Sequence, residues 1–202
     1  MKTLVEYLKR IGSLKTTVLV DAFLANDRRD FVTDELLSRA YEDHALSIGF
    51  GQSISQPYTV AFMMELLQPE QGNEVMDVGF GSGWTTGILA HVVGIEGKVH
   101  AVEIIPEVFR FGKGNLLKYN YTNIELYMGS WEDIQSVDFD RILVSAVAPF
   151  VPDKLIAKLK VGGRMVIPVR TGFTQSIRLV EKISESTFCV QNYPGFVFVP
   201  LV

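Results

Sequence analysis

The residues best placed to do chemistry lie within residues 75–103. An apolar, strand-like run there contains one acid, Asp77. Glycines follow it at alternate positions, and they are Gly79, Gly81 and Gly83. A glycine lets the backbone approach a ligand closely because it carries no side chain. A second apolar run ends in Glu103, whose carboxylate is suited to accept hydrogen bonds from the two hydroxyls of a ribose. The pattern predicts a nucleotide site built from a strand, a turn, a helix and a strand.

The glycine spacing narrows the choice of nucleotide. Dinucleotide folds use G-x-G-x-x-G, whereas this turn reads G-x-G-x-G and carries Trp84 at the position of the last glycine. No lysine follows the glycines, which excludes a phosphate-binding P-loop. A ligand with a ribose and an amino acid but no phosphate fits this turn, and S-adenosylmethionine is such a ligand. The alternative is a tight turn without a ligand, but Asp77 and Glu103 both favour the cofactor.

A second group of polar residues precedes a predicted helix. Ser53 and Ser55 lie just before Pro57, and proline is favoured in the first turn of a helix. Hydroxyls and free backbone N–H groups at such a place favour an anion. Ser55 is equally suited to cap the helix, and the sequence alone does not separate capping from substrate contact.

The surrounding chain alternates between strands and helices. A helix over 106–119, weakened by Gly112 and Gly114, leads to a strand over 124–128. The loop after that strand, which contains Trp131, lies at the same sheet edge as the glycine turn if the strands are parallel. Trp131 is equally suited to stack on a base and to fill the core. The later predicted segments are a strand over 141–146, a helix over 152–160, and strands over 164–169, 175–180 and 196–201.

The N-terminal residues predict a helical cover over one domain. We divide residues 1–202 into a helical cover, 1–47, and a core for cofactor and substrate, 48–202. A third helix of the cover is predicted to start after Thr33 as its cap. Hydrophobic residues make up 48% of the 202 residues and charged ones 21%, which suffices for a sizeable core.

The composition also excludes several classes of protein. A net charge of −4 argues against broad nucleic-acid binding, and no apolar run is long enough to cross a membrane. The single cysteine, Cys189, excludes a disulfide framework and a cysteine-rich zinc site, and we expect it in the core. We expect no metal site and a monomeric, cytoplasmic protein. The three histidines are expected to be structural or solvated.

Four blocks of sequence resemble the protein-L-isoaspartate O-methyltransferase family, over residues from about 18 to 201. They are I-G-F-G-Q-S-I-S-Q-P (48–57), V-M-D-V-G-F-G-S-G (75–83), A-V-A-P-F-V-P (146–152) with V-G-G-R-M-V-I-P-V (161–169), and F-V-P-L (198–201). The second block occurs in many methyltransferases, whereas the first and third are more particular to this family. The resemblance implies a Rossmann-like α/β fold, with a mostly parallel, doubly wound sheet, an antiparallel C-terminal strand and an N-terminal helical extension.

The resemblance also implies an activity and a set of site residues. The activity is methyl transfer from S-adenosylmethionine to the free α-carboxylate of L-isoaspartyl residues in damaged proteins, followed by repair through a succinimide. Ser55 matches the serine that contacts this carboxylate. The implied cofactor residues are Ser53, Ile54, Asp77, Gly79, Gly81, Gly83, Glu103, Gly129 and Ser130. The implied substrate residues are Ser55, Pro57, Tyr58 and Val147.

One position departs from the family pattern and leaves alternatives open. The family has G-D-G after the third strand, with the aspartate facing the adenine, whereas this chain has Gly129-Ser130-Trp131. Adenine recognition then passes to Glu132 or Asp133, or weakens. The alternatives are a carboxyl methyltransferase for another peptide, an RNA base methyltransferase, and a non-enzymatic cofactor sensor. The fourth strand ends in Ser145-Ala146-Val147-Ala148-Pro149 rather than the Asn/Asp-Pro-Pro-aromatic loop of many RNA enzymes.

Overall fold

A computed structural model of the chain describes residues 1–134 and 138–201. The α-helices are α1 (Lys2–Arg10), α2 (Thr17–Ala25), α3 (Pro57–Leu67), α4 (Trp84–Val93), α5 (Pro106–Leu116) and α6 (Asp153–Ala157). The strands are β1 (Leu46–Gly49), β2 (Gln52–Ile54), β3 (Glu74–Val78), β4 (Lys98–Glu103), β5 (Ile124–Met128), β6 (Phe139–Val144), β7 (Leu159–Thr171), β8 (Thr174–Ser184) and β9 (Thr187–Pro194). Short 3₁₀ helices span Arg28–Phe31, Asp34–Arg39 and Trp131–Asp133.

The main sheet has the predicted doubly wound form. Within the described residues its strand order is β5-β4-β3-β6-β7-β8-β9, and β1 and β2 form a separate hairpin. Strands β5, β4, β3, β6 and β7 are parallel, while β8 and β9 are antiparallel to their neighbours. The strands that follow β3 in the chain are placed first on one side of it, β4 and β5, and then on the other, β6 and β7, and ligands bind at such a switch point of an α/β sheet. The predicted fold class is confirmed, with two antiparallel C-terminal strands in place of one.

Alternation along the central strands produces one core on each face of the sheet. Val75 and Leu143 belong to the larger core, beneath α2, α3 and α4, whereas their neighbours Met76 and Ile142 belong to the smaller one. Side chains in a strand point alternately to opposite faces. The apolar runs read from the sequence are therefore strands buried on both sides, as parallel sheets require.

The N-terminal cover differs in part from the prediction. The segment after Thr33 is a 3₁₀ helix, Asp34–Arg39, and not an α-helix. Strand β1 begins at Leu46, so the predicted boundary at residue 47 falls within the β1–β2 hairpin. Helix α2 packs against α4, the helix that follows the glycine turn. The cover is thus in direct contact with the elements around the site.

The two glycines of α5 have different surroundings. A Cβ atom at Gly112 would lie 2.3 Å from the carbonyl oxygen of Gly81, whereas one at Gly114 would meet nothing within 4 Å. Alanine would improve the intrinsic helix propensity at either position, by about 1 kcal/mol. At Gly112 the absence of a side chain lets α5 approach the glycine turn closely.

The C-terminal part contains several corrections. Gly162 and Gly163 lie inside β7, and the helix predicted over 152–160 is the shorter α6, Asp153–Ala157. Residues 196–201 are not a strand; the additional strand is β9, which pairs with β8. Cys189, expected in the core, is exposed on β9 because that strand lies at the open edge of the sheet. Among the described residues, the helices are too short or too polar to cross a membrane.

Candidate active site

The glycine turn joins β3 to α4 at the carboxyl end of the sheet. Gly79, Gly81 and Gly83 have φ angles of +74°, +56° and +88°, which residues other than glycine rarely adopt. Gly79 and Gly81 line a cleft, whereas a Cβ atom at Gly83 would lie 2.9 Å from Leu116. The first two glycines therefore face the cleft, and the third lets α5 pack against the turn.

Glu103 holds a fixed carboxylate beside this turn. Its side chain is 6% exposed, one oxygen accepts from the backbone N–H of Gly81 at 3.1 Å, and the other accepts from that of Ile105 at 3.0 Å. Ionised carboxylates make strong hydrogen bonds with N–H and O–H donors and retain lone pairs beyond these two. Glu103 also lines the cleft, so its carboxylate is oriented and available to a ligand's hydroxyls.

Asp77 lies behind the turn and does not line the cleft. It is fully buried, and one oxygen accepts from the hydroxyls of Thr85 at 2.9 Å and Thr86 at 2.8 Å. Its other oxygen has no hydrogen-bond partner in the described part of the chain. Burial raises the pKa of Asp77 to about 6, although the two threonines lower it, and Glu103 adds a smaller increase. Asp77 therefore ties the turn to the first residues of α4.

The cleft extends from the turn to the loop after β5. Gly129, Ser130 and the half-buried Trp131 form part of its lining. A buried carboxylate, a close-approach glycine turn and an aromatic ring suit a nucleoside. These residues therefore fit the adenosine part of S-adenosylmethionine.

Ser130 caps the short 3₁₀ helix that follows it. Its hydroxyl accepts from the backbone N–H of Glu132 at 3.2 Å, and its own N–H donates to the Asp133 carboxylate at 3.1 Å. Glu132 forms an ion pair with Lys154 at 3.0 Å. Neither acid is among the described residues that line the cleft. The structure thus gives no support to the expectation that Glu132 or Asp133 replaces the family aspartate.

A second cavity adjoins the first and is rich in aromatic residues. Tyr58, Phe62, Tyr193 and Phe196 line it, and Phe62 and Phe196 are stacked with ring centroids 5.2 Å apart. Tyr58 stacks with both of these rings, at 6.3 Å from Phe196 and 6.2 Å from Phe62. Aromatic walls with a few polar groups are typical of cavities that bind part of an organic ligand.

The two cavities meet at four residues. Ser53, Ser55, Ser145 and Val199 line both. The hydroxyl of Ser55 makes no hydrogen bond to any described residue, and Gln56 rather than Ser55 is the N-cap of α3. The interpretation of Ser55 as the cap of α3 is therefore wrong. Its hydroxyl is available where the contents of the two cavities would touch.

Other residues predicted for the site lie beside it. Ile54, Pro57 and Val147 are buried and do not belong to the described lining of either cavity. Val147 has a supporting part, because its N–H donates to Val199 at 2.8 Å and its carbonyl accepts from Leu201 at 2.9 Å. These bonds hold the C-terminal segment over both cavities.

Sequence reasoning missed Ser145, the C-terminal wall and the contacts of the cover. Ser145 follows β6 at the carboxyl edge of the sheet, and that position is a signal for a site residue. Tyr193 and Phe196 carry no such signal. Neither do Arg28 and Asp43 of the cover, which bond to Ser55 and Tyr58.

The histidines and acids form no metal centre in the described residues. No group of three or more potential ligating side chains comes together there. His100 is buried on β4, where its ring bonds to Glu74 and, at 3.0 Å, to the hydroxyl of Tyr127. These contacts link β3, β4 and β5 at a place that does not line the cleft, so the role of His100 is structural.

Comparisons with known proteins agree with this geometry. A family profile for protein-L-isoaspartate(D-aspartate) O-methyltransferase matches residues 1–202. A protein-L-isoaspartate O-methyltransferase of Methanopyrus kandleri is 41% identical over 98% of this chain and 89% of its own length. One of Staphylothermus marinus is 37% identical over 100% of this chain and 93% of its own.

Solved structures show the same fold. A protein-L-isoaspartate O-methyltransferase structure superimposes with a TM-score of 0.90 and 26% identity, over 100% of this chain and 65% of that one. A Plasmodium falciparum protein, crystallised with S-adenosyl-L-homocysteine, gives a TM-score of 0.88 and 24% identity, over 100% of this chain and 97% of that one. Since the profile spans the whole chain and the relatives exceed 30% identity, this chain belongs to the protein-L-isoaspartate(D-aspartate) O-methyltransferase family.

Proposed function

We propose that this chain transfers the methyl group of S-adenosylmethionine to the free α-carboxylate of L-isoaspartyl residues in damaged proteins or peptides. One observation carries the proposal: the hydroxyl of Ser55 lies free where the cleft beside the glycine turn meets the aromatic cavity. The methyl ester then loses methanol as the neighbouring backbone nitrogen closes on it to a succinimide. Water opens that ring and restores some normal aspartate.

The cleft holds the cofactor through backbone and carboxylate contacts. Glu103 accepts from the ribose hydroxyls, Gly79 and Gly81 allow close approach, and Gly129, Ser130 and Trp131 contact the adenine side. Ser53 lies near the reacting end, since it lines both cavities. When bound, S-adenosylmethionine supplies a sulfonium-activated methyl group. Asp77 and Gly83 support this site from behind the turn.

The acceptor needs orientation more than proton transfer. A carboxylate is already ionised at neutral pH, so no general base has to activate it. Ser55 donates a hydrogen bond to one carboxylate oxygen and leaves the other oxygen facing the cleft. Alignment of bound reactants can contribute about 7–11 kcal/mol to lowering a barrier. Tyr58 and Phe196 hold the flanking part of the peptide, and Pro57 and Val147 position the segments around it.

The remaining features of the proposal concern the whole molecule. Residues 1–202 act as one methyltransferase domain, in which the cover (1–47) supports the core (48–202). The protein works as a cytoplasmic monomer without nucleic-acid or membrane partners. The net charge of −4 supports the part of this proposal that concerns nucleic acid. Size-exclusion chromatography with light scattering tests the monomer, because a dimer would elute at twice the mass.

A labelling experiment tests the activity. The protein is incubated with methyl-labelled S-adenosylmethionine and, in parallel, with an isoaspartyl peptide, its normal aspartyl twin and bulk RNA. We expect label on the isoaspartyl peptide alone, released as methanol by mild base. Label on another peptide in place of the isoaspartyl one would indicate a different carboxyl substrate. Base-stable label on RNA would overturn the proposal.

A further inference from the structure

We propose that Asp43 is a positioning residue for methyl transfer: it caps helix α3 in place of Ser55 and so keeps the Ser55 hydroxyl free for the acceptor carboxylate. This inference rests on the function proposed above. Asp43 lies in the cover, twelve positions before Ser55 in the chain, and touches neither cavity among the described lining residues.

The start of α3 explains why Ser55 would otherwise be a cap. An N-cap serine usually accepts from the backbone N–H two or three residues later. Two residues after Ser55 is Pro57, which has no N–H, and three residues after it is Tyr58. If α3 began one residue earlier, at Gln56, Ser55 would be its N-cap and the N–H of Tyr58 the natural partner of its hydroxyl. A helix N-terminal N–H without an acceptor would be costly at this half-buried position.

Asp43 takes that partner. One oxygen of its carboxylate accepts from the backbone N–H of Tyr58 at 2.8 Å, and the other lies 3.4 Å from the hydroxyl of Tyr7. A carboxylate at a helix N-terminus forms a charge-assisted hydrogen bond and interacts favourably with the helix dipole. It is thus a stronger cap than a serine hydroxyl, and the serine is displaced.

Arg28 fixes both segments in this arrangement. Its guanidinium is fully buried and donates to the carbonyl oxygens of Ala40 at 2.7 Å, His44 at 2.9 Å and Ser55 at 3.1 Å. Burial lowers the pKa of Arg28 to about 10, against the opposing effect of Asp43 and Glu42, so the side chain stays charged at neutral pH. The loop that carries Asp43 and the backbone of Ser55 are therefore held by one cation.

The same cation also reaches the cofactor side. It stands 5.4 Å from the ring centre of Trp84, the first residue of α4. Arginine over a tryptophan face is a favourable contact, and more so when both groups are desolvated. Arg28 therefore fixes the position of Ser55 relative to α4, the helix that begins at the glycine turn. The hydroxyl keeps one orientation relative to the cofactor because Asp43 removes the competing hydrogen bond.

A double-mutant cycle tests this exchange with Asp43→Ala, Ser55→Ala and the double variant. We expect each single change to lower kcat on an isoaspartyl peptide by about ten- to a hundredfold, the effect of one hydrogen bond to a charged group. The double variant is expected to lose no more than the worse single one, because both act through the same hydroxyl. The Kd of S-adenosylhomocysteine is expected to stay unchanged in all three.

Thermal stability is expected to show the opposite departure from additivity: the double variant loses more than the sum of the single variants, whereas its loss of kcat is less than that sum. Ser55→Ala leaves Asp43 as the cap, and Asp43→Ala lets Ser55 take over, so each single variant keeps a capped helix. The double variant has neither, and its Tm is expected to fall by about 2–4 °C beyond the sum of the singles. Additive losses of both kcat and Tm would overturn the proposal, since they would mean that Asp43 and Ser55 act independently.

Two further variants separate positioning from general damage. Asp43→Asn retains an acceptor oxygen for Tyr58 and is expected to recover kcat to within about threefold of the wild type. Asp21→Ala removes another carboxylate of the cover, which is exposed on α2, and is expected to leave kcat unchanged. An Asp43→Asn variant as slow as Asp43→Ala would contradict the capping exchange.

The cycle also distinguishes two kinds of failure. A wild-type protein that does not methylate the isoaspartyl peptide would refute the proposed function. The Tm measurements need no substrate and would still decide the exchange, because a greater than additive loss supports it and an additive loss rejects it. If the wild type is active and the variants have additive effects on kcat and Tm, only the proposed positioning role of Asp43 is refuted.

Discussion

The two halves of the site are held together in different ways. On the cofactor side, residues 75–103, the defining contacts are local: Glu103 bonds to Gly81, and Asp77 bonds to Thr85 and Thr86. On the acceptor side, residues 43–58 with 193–199, the contacts come from distant parts of the chain. Tyr193 and Phe196 pack on α3 from the C-terminal segment.

This difference has a consequence for how mutations act. A local unit carries its own geometry, so changes in it are expected to alter cofactor affinity or the stability of the turn. An acceptor side assembled from distant segments is expected to change peptide kinetics without altering the cofactor site. This distinction would fail if a variant on the acceptor side changed cofactor affinity, or if a variant on the cofactor side changed only peptide kinetics.

The largest effect is expected from Glu103→Ala. Loss of this carboxylate removes two charge-assisted hydrogen bonds to the ribose, and we expect S-adenosylhomocysteine to bind at least about a hundredfold more weakly, or about 3 kcal/mol. Calorimetric titration measures this Kd. Glu107→Ala, which removes an exposed carboxylate on α5, is the matched control and is expected to bind normally. Unchanged affinity in Glu103→Ala would place the ribose elsewhere.

The next effect concerns Asp77 and pH. Its folded-state pKa of about 6 is above the ordinary 3.8, so the folded protein binds the extra proton and loses stability as pH rises through about 6. Asp77→Asn removes this loss. We expect its free energy of unfolding, relative to the wild type, to rise by about 2–3 kcal/mol between pH 4 and pH 7.

Urea denaturation of both proteins at several pH values measures this difference. The exposed carboxylate of Asp34, changed to asparagine, is the control for removing one negative charge from the molecule. A difference between Asp77→Asn and wild type that does not vary with pH would mean that Asp77 is ionised without penalty. Some other interaction would then have to stabilise the buried oxygen of Asp77 that has no hydrogen-bond partner in the described part of the chain.

The smallest effect is expected on the acceptor side, from Phe196→Ala. The half-buried ring stacks on Tyr58 and Phe62, and its removal opens the second cavity. We expect KM for an isoaspartyl peptide to rise by about three- to tenfold, the worth of one aromatic contact, with the Kd of S-adenosylhomocysteine unchanged. Phe173→Ala, at an exposed turn, is the control. A weakened cofactor affinity in Phe196→Ala would break the separation of the two sides.

The same difference decides what the sequence could predict. The strand-turn-helix-strand unit over 75–103 was predicted because its periodicity and glycine spacing reflect contacts within that unit. The doubly wound sheet followed from the repeated alternation of strands and helices. The 3₁₀ helix at Asp34–Arg39 was predicted as an α-helix because periodicity over so short a segment does not separate the two. Strand β9 forms a hairpin with β8, in which Ser184 pairs with Thr187 across a short turn, but its mostly exposed side chains give no core-facing pattern from which to predict it.

The candidate site shows the same limit residue by residue. Gly79, Gly81 and Glu103 lie where the sequence placed them, on the cleft. Ser55 looked like a cap because Pro57 and the helix follow it, but Gln56 is the N-cap and Asp43 takes the N–H of Tyr58. Gly112 looked like a weak point of α5, yet its missing side chain leaves room for the carbonyl of Gly81. At Ser55 and at Gly112 the contact that decides the role comes from another segment of the chain, from Asp43 in the first case and from Gly81 in the second.

The placement of the two tryptophans gives the protein a pair of intrinsic optical reporters. Trp84 is 1% exposed beneath Arg28, while Trp131 is half-buried on the wall of the cleft. Emission from a buried indole follows loss of the folded core, whereas emission from one at a ligand wall follows occupancy. A Trp131→Phe variant would leave the emission of Trp84, which is buried but also lines the cleft, and its difference from the wild type would isolate the response of Trp131 to cofactor binding. Both equilibria can thus be followed in one cuvette without an attached dye.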